Sequence, residues 1–175
     1  MQKQHFYSIL TFIALAICNT LLACESDINY HNLKAYTYKY KGLIPLCEIS
    51  LESPAKINSS DIFNGANAFK IEFNYLRKIK ENTITNSANK ALIDNLDKEE
   101  LNLINPIITK LHKTFTNVKK GDKSTFTYCP KHGTRFFLNK VKQIEISDAL
   151  FPTLYFLIWF GDNPLSEDLK QAIGI

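Results

Sequence analysis

Two places in this 175-residue sequence bring together side chains able to do chemistry. Cys129 and His132 stand three residues apart, close enough for an imidazole to serve a thiolate or for two soft donors to meet a metal. Two donors in one turn are too few for a metal site, and His31 and His112 have no partner at ligand spacing, so no metal is expected. Cys129 is then either a nucleophile served by His132 or His112, or a strand-end cysteine beside a solvated turn histidine. The second place joins Tyr75 and Arg77, at the end of an alternating apolar segment, to Phe156 and Trp159 in an apolar run near the C-terminus. An arginine at the rim of an apolar pocket can hold a carboxylate bidentately while the tail is buried, at about 0.8 kcal/mol per methylene. These four residues form a candidate ligand-binding set, against the alternative that the aromatics are core and Arg77 a surface cation. Asp162, near Trp159, fits a turn-forming role. With no nucleophile elbow, phosphate-binding loop or dinucleotide fingerprint, no catalytic residue and no cofactor are assigned.

The elements that would position these groups follow from periodicity. Residues 46–52 alternate, with Cys47, Ile49 and Leu51 on one face and Glu48, Ser50 and Glu52 on the other, and residues 68–76 repeat the pattern through Phe69, Ile71, Phe73 and Tyr75. The tyrosine-rich stretch before Lys41-Gly42 suits an outer strand. Two helices are expected next, one on Ile84, Ala88, Ala91 and Leu92, the other on Leu101, Ile104, Ile108, Leu111 and Phe115, with Pro106 kinking or dividing it. Three short strands follow, over 125–129, 134–138 and 141–146, joined by hairpin-length loops. The run from Leu150 to Phe160 reads as one buried helix, with Gly161 at a left-handed C-cap and Asp162-Asn163-Pro164 as the stop. Ser166 is placed to cap a last helix. The order predicts an α+β domain, an antiparallel sheet with helices gathered on one face.

The first 23 residues read as a secretory signal: a polar start, an apolar run from Ile9 to Leu22, and a small-residue junction before Glu25-Ser26-Asp27. The domain is then 24–175. Leu21-Leu22-Ala23-Cys24 is similar to a bacterial lipobox, in which Cys24 would be lipidated and tether the protein to a membrane; ordinary cleavage would leave it free in the periplasm. Cys47 and Cys129 remain inside the domain, and in an oxidising compartment they could join, a bridge worth roughly 4 kcal/mol, or stay two separate thiols. The formal net charge of +4 is mild. The basic cluster between Lys110 and Lys123 lacks aromatic interleaving, so no nucleic-acid partner is expected.

Tyr40 to Glu52 (YKGLIPLCEISLE), Phe69 to Arg77 (FKIEFNYLR) and above all Trp159 to Gly174 (WFGDNPLSEDLKQAIG) resemble the chalcone isomerase superfamily, in its secreted bacterial chalcone isomerase-like branch. The resemblance implies an open-faced β-sandwich, with a ligand cleft between the sheet and its helices. It also implies one of two activities, the cyclising chemistry of the plant enzymes or the fatty-acid binding of their relatives. The plant enzymes' pattern is an arginine on the early strand, a threonine on the next, and a tyrosine and an asparagine. Here the only arginines are Arg77 and Arg135, the threonine position falls on Pro45, and the tyrosine position falls near Lys80. Asn86 and Asn89 lie near the asparagine position. Without positioned donors for an oxyanion, chalcone isomerisation is not expected. The reading is therefore non-catalytic binding of a small amphipathic ligand such as a fatty acid. The alternatives are an isomerase or lyase on another substrate, or an envelope interaction domain with a filled core.

Overall fold

A computed structural model describes residues 31–54, 62, 65 and 67–173. The signal segment and Cys24 lie outside the described residues. Six strands form one antiparallel sheet in sequential order: β1 (His31–Tyr40), β2 (Ile44–Ser53), β3 (Phe69–Tyr75), β4 (Lys123–Cys129), β5 (Gly133–Leu138) and β6 (Val141–Ile146). Between β3 and β4 run α1 (Glu81–Asn95) and α2 (Lys98–His112), and after β6 come α3 (Phe151–Tyr155), α4 (Leu157–Phe160) and α5 (Glu167–Ala172). This is the expected α+β architecture.

The alternation does the sorting. In β3 every second residue, from Phe69 to Tyr75, is buried, and its cross-strand neighbours Leu51, Ile49 and Cys47 on β2 and Phe126 and Tyr128 on β4 share that face. The opposite face carries a polar ladder. Lys70 pairs with Glu52 at 2.6 Å, Lys123 with Glu72 at 2.6 Å, Asn74 donates to Glu48 at 2.8 Å, and Arg135 meets Glu145 at 3.0 Å. Partly exposed pairs of this kind contribute at most about 1 kcal/mol each, so their main effect is to keep this face wet. The helices cover the apolar face, and the sandwich is open on one side.

The turns show why residue type was informative. Asn139 and Lys140 both take positive φ, the mirror-image turn that matches strand twist. At Gly133 φ is +78° and a Cβ would lie 2.2 Å from the Ile146 carbonyl, so glycine is required both for conformation and for space.

Three helix expectations change. The Leu150–Phe160 run is not one helix: it breaks at Phe156, where the Trp159 amide donates to the Phe156 carbonyl three residues back and tightens the turn. Gly161 is extended (φ −70°, ψ −175°), not left-handed; a Cβ there would meet Asn95 Oδ1 at 2.3 Å, so its role is close approach. Pro106 does not divide α2, which runs unbroken with the proline on its exposed side. The start of α2 is fixed by a capping box: Asp97 accepts from the Glu99 and Glu100 amides at 2.8 and 2.9 Å, and Glu100 accepts from the Asp97 amide at 3.0 Å. Ser166 caps α5 as expected, accepting from the Leu169 amide at 3.2 Å.

The Cys47–Cys129 bridge is not formed. Cys47 is a free, buried thiol, and Cys129 is disulfide-bonded elsewhere. Geometry forbids the pairing. Cys47 lies opposite Tyr75 at one end of β3, whereas Cys129 follows Tyr128, which lies opposite Phe69 at the other end. Six strand steps put them roughly 20 Å apart, against a limit of about 7 Å between disulfide Cα atoms.

Candidate functional site

A cavity of about 130 Å³ lies between the apolar sheet face and the helices, toward the end of the sheet where Cys47 and Tyr75 sit. The sheet supplies its floor through Cys47 and Ile49, Phe73 and Tyr75, Ser124 and Phe126, and Phe136 and Leu138. Its roof is α1 and the C-terminal segment. The space exists because α1 turns small side chains inward: Ser87 and Ala88 line the cavity where larger residues would fill it.

The C-terminal wall is pinned by polar contacts at the turn after α4. Asn95, at the end of α1, accepts from the Asn163 amide at 2.9 Å and donates to the Asn163 carbonyl at 2.6 Å. Asn163 in turn donates to the Asp94 carbonyl at 2.9 Å, and Lys170 to the Gly161 carbonyl at 2.8 Å. These bonds fix the α4–α5 connection on α1 and so set Trp159 and Leu165 against the cavity.

Of the four candidate ligand residues, Tyr75 and Trp159 line the cavity, and Phe156 and Arg77 do not. Phe156 is fully buried on the other side of the helix break, edge-on to Phe69 at 4.8 Å and Phe126 at 5.9 Å. It is a core residue. Arg77 is exposed in the bend after β3, because strand alternation ends at Tyr75. The carboxylate clamp predicted at Arg77 is thus absent from the cavity wall, and no lysine or arginine is among the described residues that line it.

The polar groups present are neutral hydroxyls. Tyr75 donates to Ser124 Oγ at 3.1 Å, and both residues are more than nine-tenths buried. Burial pushes the Tyr75 phenol up to about 12, and it pushes the Cys47 thiol up to about 12 as well. Cys47 therefore carries no thiolate near neutral pH and is no nucleophile. Cys129, being disulfide-bonded, offers no nucleophilic thiol to His132 or His112. Among the described residues no cluster of donors suits a metal.

Tyr155 lines the cavity, and its hydroxyl lies 3.3 Å from His112 Nε2. Burial lowers the His112 pKa to about 4, against a smaller opposing pull from the Glu81 carboxylate, so the ring is neutral at physiological pH. The unfolded chain takes this proton near the ordinary value of 6.5, and the folded chain resists until about 4. Below pH 6.5 the unfolded state binds more protons, so this contribution to stability is present above that pH and is lost as the pH falls toward 4. Allowing for water at the ring edge, we expect a loss of roughly 2 kcal/mol across the window. Urea midpoints at about pH 7 and about pH 4.5 measure it, and His112→Gln should flatten the difference.

Sequence reasoning missed Ser124, Ser87 and Ala88. A signal existed for the first: in KSTFTYC, alternation puts Ser124 on the face of Phe126 and Tyr128, a lone serine in an aromatic row.

A family model described as chalcone isomerase-like matches residues 32–173. No sequence among the curated proteins matches. Among solved structures, the crystal structure of a fatty-acid binding protein from Arabidopsis thaliana is similar, with a TM-score of 0.62 at 13% identity, covering 86% of this chain and 89% of that one.

Proposed function

Since the chain belongs to the chalcone isomerase-like family, and its sheet and helices enclose an apolar cavity walled with neutral hydroxyls, we propose that it binds, without catalysis, a small amphipathic ligand in that cavity. The wall carries the reading. An apolar space with a few convergent polar groups is the usual form of a small-molecule site, and this one has neither a titrating acid–base pair nor a cation to stabilise an oxyanion among its described residues. The structural neighbour is a fatty-acid binding protein, which makes a chain-bearing amphiphile the natural class. An interaction domain with a filled core is disfavoured by the cavity. Export by residues 1–23 belongs to the same reading, and cell fractionation tests it.

Trp159 is the only tryptophan of the chain and lines the cavity, so its emission reports occupancy. We expect the protein purified from its expression host to show a bound small molecule by native mass spectrometry, released on denaturation. Refilling the emptied protein should shift Trp159 emission and raise thermal stability, by about 2.7 kcal/mol at a ligand concentration of 100 times Kd. An unliganded native mass together with a silent Trp159 against a panel of alkyl amphiphiles would sink the proposal.

A further inference from the structure

Building on the binding reading, we infer that the ligand enters head-first and that its polar head is uncharged, an alcohol, phenol, ester or ketone recognised by the Ser124–Tyr75 pair, with no carboxylate in the cavity. Ser124 Oγ accepts the Tyr75 hydroxyl at 3.1 Å, which leaves the Ser124 proton to donate. Ser124 is only 5% exposed, and no acceptor for that proton is found among the described residues. A buried donor without a partner is unfavourable. Both oxygens also keep a lone pair. The pair thus presents one donor and spare acceptors at the floor of a mostly apolar space, complementary to a carbonyl or hydroxyl.

Charge decides against a carboxylate. An anion inside the cavity would lose its hydration with no lysine or arginine on the described wall to replace it. Tyr75 and Cys47 already show the sign of the environment, since burial holds both of their own anions off to about 12. A fatty acid could avoid this penalty by entering tail-first with its carboxylate in water, but that pose sets methylenes against the Ser124 donor and leaves it unsatisfied. Size sets the rest. A cavity of about 150 Å³ accepts benzene, so the 130 Å³ here takes about five or six non-hydrogen atoms, head included, and the rest of a longer chain projects out of it.

The test is a Trp159 fluorescence titration of the delipidated protein with 1-octanol, methyl octanoate and octanoate at neutral pH. We expect the two neutral probes to bind at least about tenfold tighter than octanoate, the equivalent of ~1.4 kcal/mol. Ser124→Ala, checked for folding by circular dichroism, should weaken octanol about fivefold and leave octanoate unchanged. Tyr75→Phe keeps the serine donor and should weaken octanol less, which guards against a Ser124→Ala protein that fails to fold. Octanoate binding as tightly as octanol, or octanol indifferent to Ser124→Ala in a folded protein, overturns the head-first assignment while leaving the cavity a binding site. No response to any probe overturns the binding reading itself, and this inference with it.

Discussion

Phe156→Ala is expected to bring the domain close to unfolding. Phe156 is fully buried and holds four aromatic neighbours at once: Phe69 at 4.8 Å, Trp159 at 5.7 Å, Phe126 at 5.9 Å and Tyr155 at 6.1 Å. Truncation removes its transfer free energy and leaves a void beneath the break between α3 and α4, where backbone hydrogen bonding is already long: the Phe156 amide meets the Pro152 carbonyl at 3.4 Å. Large aromatic truncations cost about 3–5 kcal/mol, against a total stability of about 5–15 kcal/mol for a domain. The urea midpoint should fall accordingly, with an unchanged slope. Arg77→Ala, by contrast, should change stability by less than about 0.5 kcal/mol, as expected of an exposed bend residue. If the two variants unfold alike, the placement of Phe156 in the core and Arg77 at the surface is wrong.

Ala88→Phe is expected to abolish ligand binding without harming the fold. Ala88 is 7% exposed and looks into the cavity from α1. A benzene-sized ring suits a space of about 150 Å³, so a phenyl group grown from this position fits the 130 Å³ present. Filling a cavity commonly adds about 0.5–2 kcal/mol, and occupying the ligand's place should weaken binding by ~100-fold or more. Ordinary overpacking would instead cost about 1–3 kcal/mol. The urea midpoint and the ligand-induced thermal shift, measured on one preparation, separate the outcomes. A stable variant that still binds would place the ligand elsewhere.

The sheet was legible in the sequence because its signal is local. Period-2 alternation in β2 and β3 names the buried face residue by residue, and the hairpin turns name their own conformations through Gly133 and the Asn139-Lys140 pair. The last helical run was harder. Leu150 to Phe160 is apolar throughout, so periodicity could not show that the chain breaks at Phe156 and sends Phe156 to the core and Trp159 to the cavity. Gly161 stands out in the sequence as a left-handed cap, whereas its actual requirement, room for Asn95 from 66 positions earlier, is a tertiary fact. The cavity is an absence of atoms. It follows from how Ser87 and Ala88 face the sheet once α1 has docked, and no spacing in the sequence encodes it. The Arg77 clamp failed on a similar ground: alternation stops at Tyr75, two residues too early to carry the guanidinium to the wall.

Each strand of the sheet pairs with its neighbour in the chain, and this order shapes how the molecule assembles. The connections within β4–β6 are tight turns, so that three-stranded unit can close with little loss of chain entropy. The β3–β4 ladder is different, because the segment from 76 to 122, carrying both long helices, must be looped out before those strands meet. The two halves of the sheet are therefore joined by its least local contact, and such contacts set the pace of folding. The seam has a second property. Tyr75 and Ser124 sit on either side of it, so the bond between their hydroxyls forms only when the halves come together. The polar floor of the cavity is thus among the late features to form, and a newly made chain would meet its ligand as a nearly finished domain.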